Sequence, residues 1–337
     1  MIYRRIVVNR SGGPEVLEVA QEELREPGPG EVRVRVIAAG VAFADILMRE
    51  GAYPGGPAPP FTPGYDLIGV VDAVGEGVSS VRPGQMVTAL TVFGCYTEVA
   101  YLPETELVVV PEGLDAIEAL ALVLNYVSAW QILHRVARVR RGERVLVHSA
   151  AGGFGTAALE LSRMAGLVTF GTASAGKLHL VQELGAVPID YRKEDFLARI
   201  RDEGGVDVVL DGIGGAVSVR SYRALRRGGR LVIFGLQSAV VGGRRSLSQL
   251  LRFYTSSAAL LLARLLPDGR RALPYRVAVL KRRHPDWFRE DLEKLFGLLA
   301  ANEIRPVIAE RIPLMEARRA HELLVSGSVS GKIVLIT

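Results

Sequence analysis

The residues with the clearest chemical capacity are Ser149-Ala150-Ala151-Gly152-Gly153-Phe154-Gly155. They follow the run Arg144 to His148 and lead into a helical pattern from Gly155 to Ala165, which predicts a strand, a glycine turn and a helix. Such a turn lets backbone amides approach a pyrophosphate, with the positive end of the helix dipole behind them. The expected ligand is a dinucleotide held by Ala151, Gly152, Gly153, Phe154 and Gly155. An ordinary tight turn is the alternative, and the succession of strand–helix units downstream weighs against it. A domain that prefers NAD(H) places Asp or Glu about 20 residues on, against the ribose 2′-hydroxyl. Here Gly171 to Lys177 reads GTASAGK, without a carboxylate. Ser174 can bond a 2′-phosphate, Lys177 can offset its charge, and Tyr191 adds a hydroxyl one strand further on. NADP(H) is therefore the expected cofactor. Phe234 and Gly235, at the end of a later strand, complete the expected contacts.

The elements that must position these groups fall into two textures. The first ~110 residues read as β-rich. Glu31 to Ala38 alternates polar and apolar, and Ile68 to Val74, Met86 to Leu90 and Tyr96 to Tyr101 are further expected strands. Gly and Pro punctuate this part densely, as in Pro27-Gly28-Pro29-Gly30 and Pro63-Gly64. Ala116 to Val139 is an apolar helical pattern. From Glu143 strands and helices alternate: strands at Arg144–His148, Leu167–Thr172, Val187–Asp190, Val206–Asp211 and Arg230–Phe234, with helices between them. That alternation predicts a parallel, doubly wound sheet. Leu273 to Leu280 is expected to add a sixth strand. Helices follow at Trp287–Asn302 and Met315–Val325, and strands at Val307–Ile312 and Lys332–Ile336.

Composition narrows the chemistry. One cysteine, Cys95, in 337 residues excludes an intramolecular disulfide, a multi-cysteine zinc site and an iron–sulfur cluster. The five histidines are scattered, so no metal site is expected. The net charge of +5 comes from 41 basic and 36 acidic residues. Only Lys177, Lys193, Lys281, Lys294 and Lys332 are lysines, so the basic character is arginine's. It reads as a solvated surface, since no nucleic-acid-binding module or interleaved aromatics accompany it. Residues 1–8 lack the apolar core of a secretory signal, and no window holds ~18 uninterrupted apolar residues. Leu247 to Leu266, interrupted by Arg252 and Arg264, is expected to be an amphipathic helix that packs on its own domain or a partner subunit, with a membrane surface as the alternative. A soluble cytoplasmic protein is the default expectation.

Several runs together carry a resemblance: Gly40-Val41-Ala42-Phe43-Ala44-Asp45 with Arg49-Glu50-Gly51-Ala52-Tyr53-Pro54, then Pro63-Gly64-Tyr65-Asp66, then the glycine turn with Ser174 and Lys177. The chain resembles the zinc-independent medium-chain dehydrogenase/reductases, in their quinone oxidoreductase branch. Leu124-Asn125-Tyr126-Val127-Ser128-Ala129-Trp130 and Pro188-Ile189-Asp190-Tyr191 make it most like the vesicle amine transport protein homologues. The resemblance covers nearly the whole chain and thins between Ala239 and Asp291. It implies a GroES-like catalytic domain over 1–121, a Rossmann domain over 122–280, a C-terminal segment 281–337 returning to the first domain, and a homodimer.

The resemblance also assigns roles. Zinc-dependent relatives use Cys where this chain has Ala42, and His in the motif that here reads Gly64-Tyr65-Asp66. Without zinc no Lewis acid lowers an alcohol's pKa, so reduction of an activated acceptor, a quinone or an α,β-unsaturated carbonyl, is the expected reaction. Tyr53 matches a tyrosine lining the substrate cleft, and a proton-donor role is weighed there against simple packing. Asp45 is weighed between catalysis and structural hydrogen bonding. Asn125, polar in an apolar helix, is an expected cofactor or substrate contact. Lys332 matches a position close to the cofactor, with a strand-end surface lysine as the alternative. Many quinone oxidoreductases carry Asn at the Ala42 position, so a more apolar acceptor or weak activity on simple quinones is expected. Two further readings stay open: an enoyl-thioester reductase, free-standing or polyketide-associated, and a catalytically weak NADPH-binding protein associated with vesicles or membranes.

Overall fold

The computed structural model describes residues 1–263 and 267–337. It divides into two compact units, one of Met1–Val127, Gly242–Arg244 and His284–Thr337, the other of Ser128–Val241 and Arg245–Arg283.

The first unit is built on a seven-stranded sheet. Its strands run in the order Ile308–Pro313, Lys332–Ile336, Glu31–Val41, Asp66–Val74, Met86–Leu90 and Leu107–Val109, and Val99–Pro103 pairs beside Glu31–Val41. The alternation in Glu31–Val41 sends Val32, Val34 and Val36 inward, where they join Leu67, Val87, Tyr96, Ile333 and Leu335 in one core. Two strands absent from the expectations, Ile2–Val8 and Leu17–Glu23, form an antiparallel pair of their own. The strand expected at Tyr96 lies later, at Val99–Pro103. A short helix, Phe43–Arg49, is a further element to which the sequence expectations assigned nothing. Asp45 starts it, accepting the Ala42 amide at 2.8 Å.

The second unit holds the expected parallel sheet. Its six strands run Val187–Asp190, Val168–Ala173, Arg144–Val147, Val206–Asp211, Leu225–Ile233 and Arg271–Pro274. The chain proceeds outward from Arg144–Val147 in one direction, then crosses to Val206–Asp211 and proceeds in the other. The switch in strand order therefore lies between these two central strands, where doubly wound sheets bind ligands. The sixth strand corrects the sequence reading. It spans Arg271–Pro274, and from Val277 the same apolar run is a helix to Arg283. A short apolar run satisfies either period, and its pairing with Leu225–Ile233 decides where the strand ends.

The long apolar helix runs from Ala116 to Val136, and its turns at Leu122–Tyr126 and Gln131–Val136 are widened to π geometry. Among the described residues it is the one helix long and apolar enough to cross a membrane, and 72% of its apolar window is buried within the protein. Leu247–Ala263 is a helix as expected. The last three positions of that expectation, 264–266, lie outside the described residues. Arginine is not uniformly solvated: Arg49 is fully buried, bonded to Glu50, His321 and the Gly12 and Gly243 carbonyls.

Candidate functional site

The glycine turn begins where the strand Arg144–Val147 ends. Ser149 takes a left-handed conformation (φ +53°), and its carbonyl accepts the Gly152 amide at 2.9 Å. Gly152 is the N-cap of the helix Gly153–Met164, and no side chain caps it. The opening amides are therefore left for a ligand. A Cβ on Gly155 would lie 2.3 Å from the Ser149 carbonyl oxygen and 2.5 Å from that of Ala150, both backbone atoms. Only glycine lets the helix start this close to the strand. Phe154 stacks at a tilt on Phe234, ring centroids 4.1 Å apart. A Cβ on Gly235 would fall 2.2 Å from the Gly212 carbonyl oxygen. The turn residues, Phe234 and Gly235 are thus gathered at the strand ends that flank the topological switch.

At the neighbouring strand ends stand the groups expected to read the ribose. Ser174 opens a tight turn, its carbonyl accepting the Lys177 amide at 2.9 Å. Tyr191 is exposed and its amide bonds to the Ala173 carbonyl. Partial burial, and then the positive charge of Arg192, hold the Lys177 ammonium below its usual range. Arg192, whose guanidinium lies 5.7 Å from the centre of the Tyr191 ring, was not among the sequence candidates. Its signal was available: it directly follows Tyr191, and parallel pairing of Val187–Asp190 with Val168–Ala173 carries it beside Lys177. Lys177 and Arg192 thus bring two positive charges to the strand end that holds Ser174.

Behind the turn, His148 is buried and held neutral by desolvation. Its Nδ1 is 3.1 Å from the Thr172 hydroxyl and its Nε2 2.9 Å from that of Ser221. Asp211 accepts the Ile213 and Gly214 amides and the Ser218 hydroxyl. These bonds fix the loops after the two central strands.

The other candidates lie in the first unit. Tyr53, half-buried after the helix Phe43–Arg49, places its hydroxyl 2.7 Å from that of Tyr65. Asn125 is half-buried in the widened turn Leu122–Tyr126. Asp45 is fully buried. One carboxylate oxygen accepts the Ala42 amide and the Tyr96 hydroxyl, the other the Gly64 amide, and desolvation pushes its pKa up to about 7. The Tyr96 hydroxyl also lies 3.2 Å from His321 Nε2, and His321 Nδ1 lies 3.1 Å from Arg49. Burial and then Arg49 lower the His321 pKa to about 3. Asp45 thus heads a buried chain of polar groups that no short run of sequence reveals.

Lys332 corrects the surface alternative. It is the first residue of its strand and only 2% exposed, with Nζ 2.7 Å from Oδ2 of the fully buried Asp66. Burial raises the Asp66 pKa, and Lys332 opposes that rise. The pair lies over Gly40, where a Cβ would come within 2.2 Å of Asp66 and 2.3 Å of Lys332. Among the described residues no group of three or more His, Cys, Asp or Glu side chains could hold a metal ion.

These features define a class. Residues 28–112 match the alcohol dehydrogenase GroES-like domain and residues 184–335 the zinc-binding dehydrogenase family. The chain belongs to the medium-chain dehydrogenase/reductases, in the zinc-independent quinone oxidoreductase branch, and pairs a GroES-like domain with a Rossmann domain. Among particular relatives, it is 35% identical to the synaptic vesicle membrane protein VAT-1 homolog of Rattus norvegicus, over 92% of this chain and 78% of that protein. Escherichia coli quinone oxidoreductase, solved in complex with NADPH, superposes with a TM-score of 0.86 at 29% identity, covering 99% of this chain and 100% of the other. The phthioceranic/hydroxyphthioceranic acid synthase of Mycobacterium bovis is 32% identical over 98% of this chain, which corresponds to 15% of that synthase.

Proposed function

We propose that this oxidoreductase uses NADPH to reduce a quinone or an α,β-unsaturated carbonyl compound without zinc. The observation that carries the reading is the pair of positive charges, Lys177 and Arg192, beside Ser174 at the strand end next to the glycine turn. It suits a 2′-phosphate, and the uncapped helix start at Gly152 suits a pyrophosphate. The Gly155 cradle fits the close approach that a dinucleotide needs. NADPH, when bound, supplies the hydride. The chain's part is to orient the acceptor and to meet the charge that develops on its oxygen. Tyr53 is the residue we assign to that charge, as proton donor, and Asp45 and Lys332 hold the surrounding backbone rather than touch the acceptor. Ala42 and Tyr65 stand where zinc-dependent relatives have their ligands, which favours an activated acceptor over an alcohol.

The test is NADPH consumption against two acceptors, a 1,4-quinone and an enoyl thioester. Turnover of the quinone alone supports the quinone reading. Turnover of the thioester alone makes the chain an enoyl reductase with Tyr53 as its donor. The absence of turnover with either, alongside tight NADPH binding, overturns the enzymatic reading in favour of a nucleotide-binding role.

For its partner we assign a second copy of the chain, meeting it along the helix Leu247–Ala263. Leu247, Leu251, Tyr254 and Leu261 are each more than half exposed, and with Ala258 they follow a 4-3-4-3 spacing. That spacing makes a straight apolar seam of the kind two helices share. Arg252 is the single charge in the helix, so a second copy meets no opposing charge and an anionic lipid surface finds little basic attraction. Light scattering of the purified protein should give a dimer mass, and Leu251→Glu should halve it.

A further inference from the structure

We propose that Tyr65 is the positioning residue for Tyr53: it holds the Tyr53 hydroxyl by a hydrogen bond and stabilises the phenolate left when Tyr53 gives up its proton. This rests on the assignment of Tyr53 as proton donor.

Tyr65 is built to stay still. Its ring is 3% exposed. Its carbonyl accepts the Thr91 amide at 3.0 Å and the Val92 amide at 3.3 Å. Val92 has φ +77°, a left-handed conformation that costs a β-branched residue energy and persists only where its surroundings impose it. On one side Gly64, at φ +103°, donates its amide to Asp45, and a Cβ there would lie 2.5 Å from the Tyr96 ring. On the other side Asp66 is locked to Lys332. Each chain neighbour of Tyr65 is therefore tied by a buried carboxylate contact. Tyr53 follows the helix Phe43–Arg49, its amide on the Leu47 carbonyl at 3.1 Å and its carbonyl accepting the Gly56 amide at 3.0 Å. The two rings meet edge to face at 6.5 Å and the two oxygens at 2.7 Å. A buried phenol thus holds the hydroxyl of a half-buried one.

The polarity that serves reduction has Tyr65 donating and Tyr53 accepting, which frees the Tyr53 hydrogen for the acceptor. As hydride forms a new C–H bond at the acceptor's electrophilic carbon, the acceptor's own π pair shifts onto the conjugated oxygen. The Tyr53 O–H bond breaks, its proton joins the reduced acceptor, and the Tyr53 oxygen keeps the bonding pair. Two electrons leave the nicotinamide and two enter the acceptor, and solvent later restores the proton. Through the transfer the Tyr65 O–H points at an oxygen that becomes anionic, where a hydrogen bond is stronger than to a neutral one.

The experiment compares wild type, Tyr53→Phe, Tyr65→Phe and the double variant. Phenylalanine keeps both rings, and NADPH binding measured by fluorescence checks that the fold is retained. With the acceptor that wild type reduces, Tyr65→Phe should lower kcat about ten- to hundredfold, leave the NADPH Kd unchanged and move the alkaline limb of the kcat profile upward. In the Tyr53→Phe background the same change should do nothing further. A readout without turnover is the alkaline absorbance titration of the free protein. The phenolate signal that disappears in Tyr53→Phe should appear at higher pH in Tyr65→Phe. Equal losses from Tyr65→Phe in both backgrounds, or unmoved kcat and absorbance profiles, overturn the proposal while leaving Tyr53 as donor. No loss in Tyr53→Phe itself overturns the donor assignment and takes the Tyr65 role with it.

Discussion

Replacing Lys332 by Met tests how the buried ion pair is held. Methionine keeps the length of the side chain and removes its charge, leaving the fully buried Asp66 without its cation. A buried, uncompensated carboxylate takes up a proton rather than stay ionised. The cost of that uptake is bounded: from an unfolded-state pKa of about 3.9, protonation at pH 7 costs about 4 kcal/mol, at about 1.4 kcal/mol per pH unit. The variant should therefore lose roughly 3–4 kcal/mol at pH 7 and only about 1.5 kcal/mol at pH 5. The sign follows from proton counting. In the variant the folded state binds the proton more tightly than the unfolded state, so stability falls as pH rises above the unfolded pKa. Urea unfolding at pH 5, 6 and 7, followed by Trp287 in a Trp130→Phe background, reads the effect within the first unit. Adding Asp66→Leu should recover most of the loss and remove its pH dependence. A loss that does not vary with pH, or a double variant no more stable than Lys332→Met, would refute the reasoning.

Other expectations follow from the same geometry. Lys177→Ala and Arg192→Ala should each weaken NADPH binding by about 1–3 kcal/mol and leave NADH binding nearly unchanged, as read by fluorescence titration. Gly155→Ala should abolish NADPH binding, because its Cβ meets two backbone carbonyl oxygens that cannot move aside; retained affinity would show that the turn opens freely. His321, lowered to about 3 in the folded state, should make stability fall as pH drops from about 6.5 towards 3, by up to about 1.4 kcal/mol per unit. His321→Asn should flatten that part of the urea-stability profile. Asp115→Ala removes the side chain that accepts the Ile117 and Glu118 amides and should cost about 1 kcal/mol in thermal unfolding.

Much of the second unit is legible in the sequence because its signals are short-range. A strand, a glycine turn and a helix lie within about twenty residues, and periodicity with turn chemistry specifies each of them. Strands expected at Val187–Asp190 and Val206–Asp211 have those bounds in the structure, as do Met86–Leu90 and Lys332–Ile336 in the first unit. The pair Ile2–Val8 and Leu17–Glu23 is not legible in this way, because its weak alternation becomes a strand only through pairing. The helix Phe43–Arg49 spans only seven residues, too few for a helical period to stand out in the sequence.

The sequence alone determined the class of protein: the glycine turn, the absent ribose carboxylate, the lost zinc positions and the alternating elements all reside in local runs. Tertiary structure decided what each charged or phenolic group does. Lys332 meets Asp66 across 266 positions, and Arg49 meets His321 across 272. Lys177 gains Arg192 from the order of two parallel strands, and Tyr53 gains Tyr65 from the fold around Gly64. Such contacts depend on which strands are neighbours and on how much water is excluded between them. Neither sheet order nor desolvation is a property of any short stretch of chain.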